Sequence, residues 1–126
     1  HAAMYMDRQA LEEHQAQTVS ENRAMEIADF QSELEAFGIS FSELASSAPK
    51  HGETRGRYLT VVRYILDHEN LVGEVMEKKR LPISKIEKNI DVPRKTIENG
   101  RKYIIAMVLL LNGDYPYVQS YLDLSV

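Results

Sequence analysis

An all-α domain of several helices is what this 126-residue sequence predicts. Apolar side chains recur at steps of three and four along most of the chain, and no stretch keeps the alternation of a half-buried strand. Ser or Thr followed three residues later by Glu marks two helix starts, while Gly38, Pro49 and Pro82 fall where helices must stop or begin. About five to seven helices are expected, without a sheet.

Taken in order, residues 1–19 are polar, and the run QALEEHQAQT permits a helix but carries only a weak apolar stripe. This segment reads as a linker or marginal helix, an N-terminal extension to a domain at 20–126. Thr18 and Glu21 form a T-x-x-E capping box. The helix that follows places Ile27, Phe30, Leu34 and Phe37 on one stripe, and Gly38 is a natural stop. Ser40 and Glu43 repeat the capping box and open a short helix that must end before Pro49. Residues 50–57 read as a loop with two glycines. Tyr58, Val61, Val62, Ile65 and Leu66 then trace a half-buried helix face. The sequence DHEN at 67–70 bends or interrupts it; Leu71, Val72, Val75 and Met76 continue the pattern. EKKR at 77–80 closes this helix with positive charge, which suits the dipole.

Composition narrows the function. The absence of cysteine excludes disulfides, zinc–thiolate sites and thiol catalysis, and points to a reducing compartment, hence a cytoplasmic location. The longest apolar run, Tyr103 to Leu111, is half of what a membrane span needs. The four histidines are scattered without metal-ligand spacing, and there is no nucleophile motif and no phosphate-cradling glycine loop. An enzyme, a cofactor, a metal site, catalytic residues and a small-molecule substrate are therefore not expected. The formal net charge of −4 hides an asymmetry: residues 77–102 hold nine basic side chains and four acidic ones, while residues 1–76 hold six basic and thirteen acidic. Such a distribution suits an anion-binding segment on an acidic body, although a merely solvated basic face gives the same count.

The basic segment has a particular form. In LPISKIEKNIDVPRKTIENGRKYI, Ile83, Ile86 and Ile90 line a short first helix, Asp91 sits at a turn, and Val92 plugs it. Pro93 suits the first position of a second helix, whose Ile97 and Ile104 point inward seven residues apart. This is the pattern of a helix-turn-helix, with a recognition helix expected from near Pro93 to near Asn112. Arg94, Lys95, Thr96, Glu98, Asn99, Arg101 and Lys102 fall largely on its outer faces and are the candidate DNA-binding residues. Arg and Lys donate to guanine O6 and N7 or to phosphate, and Asn pairs with adenine N6 and N7. Arg94, Lys95, Glu98 and Asn99, in the first turns, are expected at base edges; Arg101 and Lys102 are expected at phosphates. Glu98 either accepts from cytosine N4 or pairs with Arg94 or Lys102 one helical turn away. Two positions depart from the usual pattern. Glu87 stands where a small residue ordinarily lets the helices approach, and Asp91 where Gly ordinarily takes a left-handed conformation. Gly100, inside the second helix, marks close packing, close approach to DNA, or simple tolerance.

The run RKTIENGRKYIIAMVLLLNGDYPYVQSYL at 94–122 resembles the C-terminal domain of the sigma-I group of RNA polymerase sigma factors, and FQSELEAFGISFSELASSAPKH at 30–51 resembles the start of the same domain. The motifs RKTIE, RKYIIA and GDYPY carry the likeness. The resemblance implies a region-four-like domain that reads the −35 element of promoters within the polymerase holoenzyme. It implies promoter DNA and the RNA polymerase core as partners. It also implies a membrane-bound anti-sigma factor of the RsgI type, whose cytoplasmic N-terminal domain would bind here. On this reading residues 1–19 are the end of an interdomain linker.

The apolar run Tyr103–Leu111 is covered on every side, either as a central core helix or as a partner groove. Tyr115, Tyr117 and Tyr121 follow it, amphipathic side chains that suit a packed cap or a partner-binding surface. The alternative to a DNA reader is accordingly a helical protein-interaction module without sequence-specific DNA binding.

Overall fold

A computed structural model describes residues 2–121, with side chains described from Asp7 to Ser120. It holds eight helices: α1 (Ala2–Ala36), α2 (Phe41–Ser47), α3 (Gly52–Leu66), α4 (Glu69–Lys78), α5 (Ile83–Glu87), α6 (Arg94–Asn99), α7 (Arg101–Asn112) and α8 (Pro116–Tyr121). No strand occurs among the described residues.

The apolar run settles at the centre. Every residue from Tyr103 to Leu110 is buried, and α7 is flanked by α3, α1, α2, α6 and α8. Phe30 and Leu34 of α1, Phe37 just past its end, and Tyr58, Val61, Val62 and Ile65 of α3 are buried in the same core. Burying a side chain of this size contributes about 1.5–3 kcal/mol, so the interior around α7 dominates the stability of the domain. Of the two readings of the run, the core helix is the one realised.

Three local expectations are revised. Residues 2–36 form one helix, and Thr18 does not cap it: its hydroxyl donates to the His14 carbonyl at 2.9 Å, one turn back. Nothing in the Gln-, Glu- and Ala-rich run before it breaks a helix, so the helix passes through. The inward position near residue 27 belongs to Glu26, 7% exposed, while Ile27 is 41% exposed. The Glu26 carboxylate accepts from the Tyr117 amide at 3.0 Å and from the Val118 amide at 3.4 Å, satisfying free donors in the first turn of α8. The expected loop at 50–57 is already helical from Gly52, helped by an Arg57–Glu53 pair one turn apart at 3.2 Å. Of the two outcomes expected at DHEN, a bend or an interruption, the interruption is the one realised, between α3 and α4.

Other signals are realised as read. Ser40 and Glu43 form a reciprocal capping box at the start of α2. Gly38 adopts φ +73°, and the Ile39 amide donates to the Leu34 carbonyl at 3.0 Å, closing α1.

Candidate nucleic-acid interface

The helix-turn-helix is built on apolar contacts. Ile86 and Ile97 are fully buried and Val92, the plug, is 6% exposed; Ile83 and Ile90 are half-buried at the rim. These residues hold α5 against α6 and seat both on α3. Asp91 does not take the left-handed conformation, since Lys79 alone does so among the described non-glycine residues. Pro93 lies one position before the helix, with ψ 144°, and its carbonyl accepts from the Ile97 amide at 3.2 Å. Its fixed φ serves the N-cap position instead of the first turn.

The expected single recognition helix is two. α6 ends at Asn99 and α7 begins at Arg101, joined by Gly100 at φ −95°, ψ 8°. Hydrogen bonds continue across the joint: the Gly100 amide donates to Thr96 at 3.0 Å, and the Gly100 carbonyl accepts from Ile104 at 2.8 Å. The cause lies on the inner side. A Cβ on residue 100 would stand 2.4 Å from Cε1 of Tyr58, whose buried ring stacks at a tilt on Tyr103 with centroids 5.7 Å apart. Of the three readings of Gly100, close packing is the one observed, and it places Arg101 and Lys102 on α7.

The outer face of α6 presents Arg94, Lys95, Glu98 and Asn99 to solvent; Thr96 is half-buried, as are Arg101 and Lys102 at the start of α7. These side chains are not equally free. Arg94 donates from Nε to Glu98 Oε1 at 3.1 Å and from Nη1 to Glu87 Oε1 at 3.1 Å, with Ser84 Oγ at 3.4 Å. The hydrogen bonds it donates to Glu87, then to Glu98, hold its guanidinium even more firmly protonated than usual. Thus Glu98 pairs within α6, and Glu87 bridges the two helices instead of crowding them. Sequence reasoning passed over this bridge because it joins residues seven apart across a turn. Lys102 Nζ lies 3.7 Å from Glu43 Oε2, on the capping residue of α2. Lys95 and Arg101 make no ion pair among the described residues. The least encumbered groups are therefore Lys95, Asn99 and Arg101, a cation-and-amide set suited to base edges and phosphates.

The tyrosines divide. Tyr115 is 7% exposed, its ring 5.1 Å from that of Phe30 by centroids, and its hydroxyl donates to the Glu33 carboxylate. Burial, then the neighbouring Glu33, pushes the hydroxyl above the ordinary tyrosine range. It is a core residue with a polar tip, not an exposed anchor. Tyr117 is half-buried, with its amide held by Glu26. The Tyr121 side chain lies outside the described residues. Among the described residues no cluster of three or more His, Asp or Glu could hold a metal, and no helix is long and apolar enough to cross a membrane.

No protein-family model matches the chain. It is similar to several proteins called RNA polymerase sigma factors. It is 41% identical to SigI of Bacillus subtilis over 90% of this chain and 45% of that protein. It is 42% identical to SigI of Bacillus anthracis over 90% of this chain and 47% of that protein. It is 33% identical to SigI7 of Acetivibrio thermocellus over 93% of this chain and 50% of that protein. The chain thus spans about half the length of the curated relatives it matches.

Proposed function

The chain is a homologue of the sigma-I RNA polymerase sigma factors, and from that premise we propose that it reads the −35 element of promoters for an alternative sigma factor in the cytoplasm. Residues 20–126 are the reading domain, and residues 1–19 lead into it. The observation that carries the proposal is the outer face of α6: Arg94, Lys95, Glu98 and Asn99 stand exposed over a buried Ile97, on a helix-turn-helix braced by Ile86 and Val92. Promoter DNA and the polymerase core are the partners this role requires. The regulatory partner we propose is the cytoplasmic N-terminal domain of an RsgI-type anti-sigma factor. Tyr117 supports a place for it on the α8 side, because its ring is partly open to solvent.

Substitution on a promoter duplex tests the DNA-reading role. Lys95→Ala and Asn99→Ala are expected to lose discrimination at one base pair each, worth about 1–3 kcal/mol if the contact is bidentate. Lys102→Ala is expected to weaken all sequences alike and to flatten the salt dependence. Arg94→Ala is expected to weaken binding as well, partly by loosening the joint between α5 and α6. Unchanged discrimination in all four variants would overturn the assignment.

A further inference from the structure

Beside the candidate DNA-binding residues lies a second basic feature, which shares Arg94 with them. A pocket of about 360 Å³ opens where α4, α5 and α6 meet. Lys78, Arg80, Lys85 and Arg94 line it together with Ser84, Leu81, Pro82 and Ile83, and Glu74 is the one acid in the lining. Glu74 Oε1 accepts from Lys78 Nζ and from Lys85 Nζ, each at 3.1 Å, and these bonds hold its carboxyl below the usual carboxylate range. One carboxylate therefore serves two ammonium groups, each of which has donors left over. Arg80 makes no ion pair among the described residues. Arg94 is met from outside the pocket by Glu87 and Glu98. The lining thus keeps uncompensated positive charge, and cationic side chains with donors left over border a concavity large enough for a phosphate with its sugar.

We propose that this pocket seats a backbone phosphate of the same duplex that α6 reads, with Arg80 and Lys85 as donors and Glu74 as the group that restrains Lys85. The inference rests on the DNA-reading function and deepens it. In a helix-turn-helix the first helix crosses the backbone while the second enters the major groove. Here Ser84 and Lys85 lie on the first helix, α5, and Arg94 belongs both to the pocket wall and to the start of α6. A phosphate in the pocket would therefore sit one side chain away from the base edges, where it would fix the register of α6 without reading sequence. Glu74 limits this grip: with its charge present, two lysines are partly neutralised.

The test follows duplex affinity against salt concentration for Arg80→Ala, Lys85→Ala and Glu74→Gln. Arg80 and Lys85 lie at the surface, whereas the Glu74 side chain is only 16% exposed; unchanged melting temperatures serve as the folding control for all three variants. Arg80→Ala and Lys85→Ala are each expected to lower the slope of log K against log salt by about 0.9, the share of one neutralised phosphate, with base discrimination intact. Glu74→Gln is expected to tighten binding to every sequence. A neutral methylphosphonate is then placed at each phosphate position in turn. One position should weaken the unmodified chain and have no further effect on Arg80→Ala. Slopes unchanged in all variants, while the unmodified chain still prefers its −35 duplex, would overturn the pocket alone. So would inorganic pyrophosphate that binds at Arg80 and Lys85 without displacing DNA. Failure of the unmodified chain to bind any duplex would sink the DNA-reading function along with it.

Discussion

Glu26 and Tyr115 show what single residues conceal in a sequence. Apolar periodicity selects Ile27 as the inward residue, yet the carboxylate beside it is buried because a helix 91 residues later needs its amides capped. That need is set by tertiary contact and leaves no local trace. Tyr115 reads as an amphipathic surface residue and is instead a core ring whose hydroxyl is tied to Glu33. Its proton is held more tightly in the fold than in the unfolded chain, where tyrosine titrates near about 10. The stabilisation from that proton is complete below pH ~10 and is lost as the pH rises toward the higher folded value. Tyr115→Phe is expected to cost about 1 kcal/mol at neutral pH. It is also expected to remove part of the alkaline decline in stability, as denaturant melts at neutral pH and just above pH ~10 would show. Parallel declines in the two proteins would contradict this account. The half-buried Tyr117 behaves differently in the same scheme: Tyr117→Ala should leave folding nearly intact and weaken an inhibitor domain by about 1–3 kcal/mol, measured by titration.

At the scale of elements, much of the helix-turn-helix is legible. Ile86, Val92 and Ile97 are where the spacing puts them, because a turn plug and two inward isoleucines are requirements of a local unit. The need for glycine at the joint is not legible, because the ring that a side chain there would meet, Tyr58, lies 42 residues earlier on α3. The long helix α1 escaped because its polar helix-forming run lacks the apolar stripe by which helices are recognised, and the early start of α3 because Gly52 and Gly56 disfavour a helix. Substitution at Gly100 tests the joint. In an open helix, Gly→Ala gains up to about 1 kcal/mol of propensity. Here the added methyl meets a ring already packed on Tyr103, so Gly100→Ala is expected to destabilise by about 1–3 kcal/mol in a denaturant melt. A more stable variant would show that the joint between α6 and α7 is not set by Tyr58.

Over the whole molecule, the charge asymmetry and the apolar run belong to one design. The run from Tyr103 to Leu110 is the core, and the basic turns just before it are carried at the surface by the same stretch of chain. Helix class, the central place of α7 and the basic face could be read from composition and period. The distribution of ion pairs over that face could not, and it changes the ranking of the candidates: Arg94 is engaged by Glu87 and Glu98, whereas Lys95 and Asn99 are left to the solvent. The central claim is that this surface reads sequence as well as charge. It is tested most directly by fluorescence anisotropy with two duplexes of equal length and composition, one carrying a −35 element of a sigma-I promoter and one with that element shuffled. The account predicts tighter binding to the intact element, by roughly tenfold or more, with the preference kept as salt is raised and both affinities fall. Equal affinity for the two duplexes at every salt concentration would contradict it.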